Sequence, residues 1–315
     1  VFRKILLILA AFIFSFAAAE FIVGSILGFP KYGVEQRIKG VKGVRGHQNI
    51  YKPYSEYWRL RGKFEIYKRN NAGLPGLNVN LTESSKQVCV LGSSFIENAF
   101  MDPAFMSTSI FQNLLRASDS AYNVLNLGHN GFDVYESYRR LVYFEQRFKP
   151  DYVFLVINDY EAGSFKLVDK PFLLDDNSFI ADESFKTKTI LFLRNTSSFI
   201  RLVSIMMQND GEQTVMPPDE KEKSGIINLD NLEVCLVGFN ERYPGRFVCV
   251  SITCNESVNK RIDDFCLRNG IKFEHSCIMT PDNQVDGDWH LNEKGNNALG
   301  VFLYNSFRKH FTTNK

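Results

Sequence analysis

The sequence predicts an α/β domain with a mostly parallel, five-stranded sheet in a three-layer sandwich, preceded by one N-terminal membrane helix. Three observations lead there. Compact apolar runs end in Gly or Asn, helical patterns lie between them, and the first thirty residues are almost wholly apolar. A length of 315 residues accommodates one large α/β domain of about 200–250 residues plus an appendage. With 44% hydrophobic and 23% charged residues the chain has ordinary globular usage, which excludes disorder, collagen and coiled coil. A net charge of +2 and the lack of a basic stripe interleaved with aromatics argue against a nucleic-acid partner.

The elements follow in order. Ile5 to Phe29 form an apolar stretch broken only by Glu20, long enough to cross about 30 Å of hydrocarbon as a helix. Arg3 and Lys4 precede it, as in a signal anchor with its N-terminus in the cytoplasm. Lys31, Arg37, Lys39, Lys42 and Arg45 follow it, so charge alone leaves the orientation open. Ala17-Ala18-Ala19 would suit signal-peptide cleavage, which stands as the alternative to an uncleaved anchor over 1–29. Either reading exports the remainder, so the expected location is a membrane-anchored domain outside the cytoplasm.

Residues 30–85 read as a connecting segment. Turn signals stand at Asn70-Asn71-Ala72-Gly73 and Leu74-Pro75-Gly76, and Phe64 to Tyr67 suit a short edge strand. The domain proper is expected over 86–315. Its strands are predicted at Val88–Leu91, Asn123–Leu127, Tyr152–Ile157, Phe247–Ile252 and Ile271–Phe273; such near-continuous apolar runs suit strands covered on both faces. Asp133-x-x-Glu136 has capping-box spacing, and Pro150 stops the helix that it opens. Residues 166–231 break the rhythm, with an amphipathic helix expected over Phe192–Met207. Six Cys without a C-x-x-C pair argue against a zinc ribbon or thioredoxin-like site. Cys89, Cys235 and Cys249 read as core residues. Two of Cys254, Cys266 and Cys277 could pair, although six free thiols is the preferred reading.

In an open parallel sheet, ligands bind beyond the carboxyl ends of the strands. Four blocks merit inspection there: Gly92-Ser93-Ser94, Gly128-His129-Asn130-Gly131, Asn158-Asp159, and Asp286-Gly287-Asp288-Trp289-His290-Leu291-Asn292. A Ser hydroxyl, a His beside a carboxylate, an Asn amide and an exposed Gly N–H are the parts that acyl transfer needs. The hydroxyl is a weak nucleophile until a base takes its proton. In isolation Ser94 would be a helix cap, Gly128 and Asn158 turn formers, and His290 a surface residue; the four blocks together favour a site. His129 reads as a solvated loop residue and Asp159 as a capping carboxylate. His47, His275 and His310 have no evident partner. No His/Asp spacing suits a metal, and no cofactor is expected.

The order G-S-S, N-x-G-x-x-G, N-D and D-x-H-x-N-x-x-G resembles the SGNH (GDSL-type) hydrolases, serine esterases on a flavodoxin-like sheet. The resemblance runs from Gln87 to the end. It is similar in particular to bacterial members with an N-terminal membrane helix, whose linker carries a turn like Asn70 to Gly76. It implies Ser94 as nucleophile and His290 as general base. It also implies an oxyanion hole from the backbone N–H groups of Ser94 and Gly128 with the Asn158 side chain. Two positions depart from the family. Ser93 stands for its usual Asp, and Gly287 occupies the place of the Asp three residues before the His. Asp288 is the preferred orienting carboxylate, with Asp286 behind it. The implied reaction is hydrolysis of a short acyl ester, acetyl above all, on a cell-surface carbohydrate. An O-acyltransferase using the same site, or a non-catalytic envelope scaffold or glycan-binding member, are the alternatives.

Overall fold

The structure, a computed structural model, describes residues 2–29, 33–38, 48–61, 63–98, 101–158, 184–208, 230–288 and 290–312. They fall into two compact units.

The larger unit holds the described residues from 70 to 158 and from 230 to 312. Its sheet contains β5 (Lys86–Leu91), β6 (Tyr122–Asn126), β7 (Tyr152–Ile157), β8 (Phe247–Ser251) and β9 (Lys272–His275). All pairings are parallel, in the spatial order β6-β5-β7-β8-β9. Counted from the first strand this is 2-1-3-4-5, so the order reverses between β5 and β7. Every predicted sheet strand is present, within one or two residues of the apolar run that signals it.

Period-two alternation divides each strand between two cores. Val88, Val90, Phe154, Val156, Val248 and Val250 pack with Phe111 of the helix Ser107–Ser118 and with Leu299, Leu303 and Phe307 of the last helix, Glu293–Phe311. Phe307 is the hub, with the rings of Phe111, Tyr122, Tyr152 and Phe311 within 6.1 Å of it. The helices Val134–Phe148 and Asp230–Arg242 pack together elsewhere on the sheet, with Tyr138 edge-on to Phe239 and Phe239 stacked on Phe247. The capping box forms as its spacing predicts: Asp133 accepts from the Glu136 N–H and Glu136 accepts from the Asp133 N–H. Residues 70–80 tie into this unit through amides. The Asn70 side chain accepts from Ala72 and Leu74 and donates to Leu77, while Asn123 ties to both polar groups of the Asn80 backbone.

Two expectations about cysteine and histidine need correction. Cys254 and Cys277 form a disulfide, so the six are not all free, and Cys266 is buried. The bond joins the segment after β8 to the segment after β9; adjacency of the two strands brings together residues that are 23 apart. His310 does have a partner, Glu274, at 2.8 Å. Asp159, Trp289 and His47 lie outside the described residues.

The smaller unit holds the described residues from 2 to 69 and from 184 to 208. Phe2–Glu20 is helical and continues as a wider π-helical segment, Phe21–Ile26, giving an apolar span of 25 residues. Two hairpins follow, β1 (Val34–Ile38) with β2 (Gln48–Tyr51) and β3 (Glu56–Arg61) with β4 (Lys63–Lys68). The helix expected over Phe192–Met207 is instead two, Phe185–Thr196 and Ser198–Gln208. Ser197 makes the break. It is extended, and its hydroxyl accepts from the Ile200 N–H as the cap of the second helix. The same hydroxyl donates to Glu20, whose carboxylate also accepts from the N–H groups of Ser198 and Phe199.

Phe307→Ala should destabilise the sheet unit by about 3–5 kcal/mol, the usual cost of deleting a fully packed Phe ring. Urea denaturation of the detergent-solubilised chain would measure it, and a change below about 1 kcal/mol would contradict the hub placement.

Candidate active site

β5 ends at Leu91, and the chain must turn at once into the short helix Ser94–Glu97. Gly92 makes the turn, with φ +153°. A Cβ there would stand 2.7 Å from Ile96 Cγ1 and 2.9 Å from the Val156 carbonyl oxygen. Ser94 thus becomes the first residue of a helix fixed over the sheet's end. Gly128, after β6, lies flat against the same helix, where a Cβ would be 2.7 Å from the Ile96 carbonyl carbon. Asn158 follows β7 and is buried. The three residues therefore succeed three adjacent strands, with β5 in the middle. Ser94 and Asn158 flank the reversal point of the strand order.

His290 arrives from the loop between β9 and the last helix. Its Nε2 lies 2.9 Å from Ser94 Oγ, across 196 residues of sequence. Its Nδ1 lies 2.6 Å from Asp288 Oδ1, and the same oxygen accepts from the His290 backbone N–H. A carboxylate at Nδ1 favours the tautomer protonated there, which leaves the Nε2 lone pair to accept the Ser94 hydroxyl proton. Gly287, at φ +72°, bends the chain so that the Asp288 N–H reaches the Val285 carbonyl. Asp286 stays exposed. The ring is buried and packs 5.6 Å from Phe95.

The Gly128 N–H donates to the Asn126 side-chain oxygen at 3.1 Å. An anion presented to that N–H would have to compete with this bond. Asn126 also donates to the Ile96 carbonyl and to Thr108 Oγ1, so one buried amide ties the Gly128 turn to the Ser94 helix. Glu97 adds a second tie by accepting from the Asn130 N–H at 2.7 Å. His129 stacks on Phe132, ring centroids 4.2 Å apart. Among the described residues no group of three or more His, Cys, Asp or Glu is placed to hold a metal.

Sequence reasoning misses the residues that hold the two halves of the site together. Asn98 ends the Ser94 helix in a left-handed conformation at φ 47°, its N–H donating to the Ser94 carbonyl. Its side-chain amide donates to Asn296. The Asn296 oxygen also accepts from the Ser107 N–H, and its amide donates to the carbonyls of Leu291 and Asn292, next to His290. The only signal in the sequence is that Asn296 falls on the first turn of the last helix, facing back toward the His block.

No family model matches the chain, and no curated protein does. Solved structures are similar to it in part. TesA is 11% identical, with a TM-score of 0.43 over 72% of this chain and 100% of that one. The psychrotrophic esterase EstA from Pseudoalteromonas sp. is 12% identical, with a TM-score of 0.44 over 73% and 100%. Axe2, an acetylxylan esterase from Geobacillus stearothermophilus, is 13% identical, with a TM-score of 0.38 over 73% and 96%. At this level of identity and overlap the likeness assigns no activity to this chain.

Asn296→Leu should leave buried donors and acceptors unpaired, at about 1–3 kcal/mol each in urea denaturation. In the molecules still folded, the His290 ring nitrogen shifts should lose the signature of a hydrogen bond at Nε2. Unchanged shifts would detach Asn296 from the site.

Proposed function

We propose that this chain is a serine ester hydrolase working through an acyl-enzyme. One observation carries the reading: the continuous Ser94, His290, Asp288 relay, with contacts of 2.9 and 2.6 Å. Ser94 Oγ attacks the ester carbonyl carbon as its proton passes to His290 Nε2. Asp288 holds the Nδ1–H and stabilises the imidazolium that forms. The oxyanion is received by the N–H of Ser94, the N–H of Gly128 released from Asn126, and the Asn158 amide. As the intermediate collapses, His290 returns the proton to the leaving alkoxide. Water then attacks the acyl carbon, with His290 taking its proton and restoring the Ser94 hydroxyl. Each preorganised oxyanion donor is worth about 3 kcal/mol by comparison with single-donor deletions.

The substrate class follows the motif resemblance: a short acyl ester, acetyl above all, on a cell-surface carbohydrate. The apolar span Phe2–Ile26 supports membrane attachment. The Cys254–Cys277 disulfide supports placing the sheet unit on the oxidising side, because such bonds are rare in the cytosol.

Ser94→Ala should abolish hydrolysis of a short-chain aryl ester and all labelling by a fluorophosphonate, while the thermal midpoint moves little. Residual turnover near wild type would remove Ser94 as nucleophile.

Asp288→Asn should lower kcat at least about tenfold, through lost tautomer control and imidazolium stabilisation. Asp286→Asn should stay near wild type. The opposite ranking in steady-state assays would transfer the orienting role to Asp286.

A further inference from the structure

Glu20 is the one charge between Ile5 and Phe29, and its carboxylate accepts from the Ser197 hydroxyl and from the N–H groups of Ser198 and Phe199 at the start of the helix Ser198–Gln208. A carboxylate at a helix N-terminus satisfies N–H groups that have no partner inside the helix and complements its dipole. Around this cap, Phe16 meets Phe199 edge-on at 5.8 Å, and Val23 and Phe29 form a small core with Phe199 and Leu202. Gly24 permits the approach, since a Cβ there would lie 3.2 Å from Ser198 Oγ. The helix pair of residues 185–208 is thus fixed to the carboxyl-terminal part of the apolar span.

Apolar side chains of both helices are exposed. Phe192 is 66% exposed, Met206 59% and Met207 76%. Val203, Met206 and Met207 recur at helical spacing and so share a face. No acidic residue occurs between Phe185 and Gln208, whereas Lys186, Lys188 and Arg194 do. Ile22 and Ile26 of the span, and Leu27 just after it, are themselves exposed and extend the apolar surface. The depth also fits. Glu20 precedes a segment of 6 residues that ends the span, less than about 9 Å long, since its wider π-helical turns rise less than the 1.5 Å per residue of an α-helix. Interfacial helices bury their apolar face about 5–10 Å into the boundary between headgroups and acyl chains.

We propose that the helix pair of residues 185–208 lies in the membrane interface beside the apolar span, its exposed Phe and Met side chains inserted among lipid and Lys186, Lys188 and Arg194 among the headgroups. This rests on reading Phe2–Ile26 as a membrane helix. Glu20 is then the joint between a crossing helix and a surface helix pair, not a flaw in an apolar segment.

The test uses the full chain reconstituted in vesicles of phosphatidylcholine and phosphatidylglycerol. Spin labels are placed singly at Phe192→Cys, Met206→Cys and Met207→Cys, with Leu9→Cys as the control for the span and Leu267→Cys as the aqueous control. The native cysteines are buried or disulfide-bonded and so are protected from labelling. Power saturation with oxygen and with a nickel chelate reads depth. The expected result is oxygen preference at 192, 206 and 207 at a depth of about 5–10 Å, with position 9 deeper and position 267 in water. Nickel accessibility at 192, 206 and 207 equal to that at 267, with position 9 in hydrocarbon, would overturn the proposal and leave the membrane helix standing. Low accessibility to both reagents would overturn it in favour of a protein partner. A label at position 9 in water would defeat the membrane reading itself.

Discussion

The hydroxyl and the imidazole of the candidate site come from segments 196 residues apart in the chain, and one buried amide bridges the two segments. Asn296 accepts from Asn98 on one side and donates to the carbonyls that follow His290 on the other. Phe95 and Ile96 anchor the Ser94 helix in the core and Leu291 anchors the His290 loop, and the amide adds the directional ties that apolar contact does not supply. The Ser94 helix is one turn long, below the length at which helices persist unaided. Its geometry is therefore borrowed from what clamps it: Asn98 and Asn296 at one end, Asn126 along its side, and the Gly92 turn at its start. Buried polar networks of this kind are costly to break.

The strand order makes the clamp effective. With β5 central among β6, β5 and β7, the residues after three neighbouring strands converge without any long loop having to fold over. Gly92 and Gly128 remove the only side-chain carbon that would keep those turns apart, so backbone can lie against backbone at the sheet's end. The same parallel arrangement brings Cys254 beside Cys277, since the residues after β8 and β9 must also be neighbours. The disulfide lies on the chain leading from β9 to His290, so it shortens the unsupported part of that path.

What was legible in the sequence follows from range. Apolar runs ending in Gly or Asn are local signals, and each marked a sheet strand. The capping box of Asp133 and Glu136 is local too. Ser94 and His290 were visible because each stands in a block of characteristic spacing. The ties between Asn98 and Asn296 and between Glu20 and Ser198 were not, because nothing within either partner's neighbourhood announces the other. A lone acid in an apolar stretch is legible as an anomaly, but its resolution lies 178 residues away. The break at Ser197 failed for a subtler reason. Ser is tolerated inside an amphipathic pattern, and only the remote carboxylate makes this one end a helix and cap the next.

The closing step concerns spacing. Here the acid is two residues before the histidine, and the same oxygen of Asp288 takes both the His290 backbone N–H and the ring Nδ1. Such a ring-and-backbone chelate requires the chain to double back sharply just before the acid, and the residue at that point is Gly287 in a left-handed conformation. A side chain at position 287 would meet no neighbour, so the requirement is conformational and not steric. Non-Gly residues enter that region at a cost of about 1 kcal/mol or more. The Gly287 turn is thus the feature that lets the carboxylate of the next residue reach both the ring and the backbone of His290.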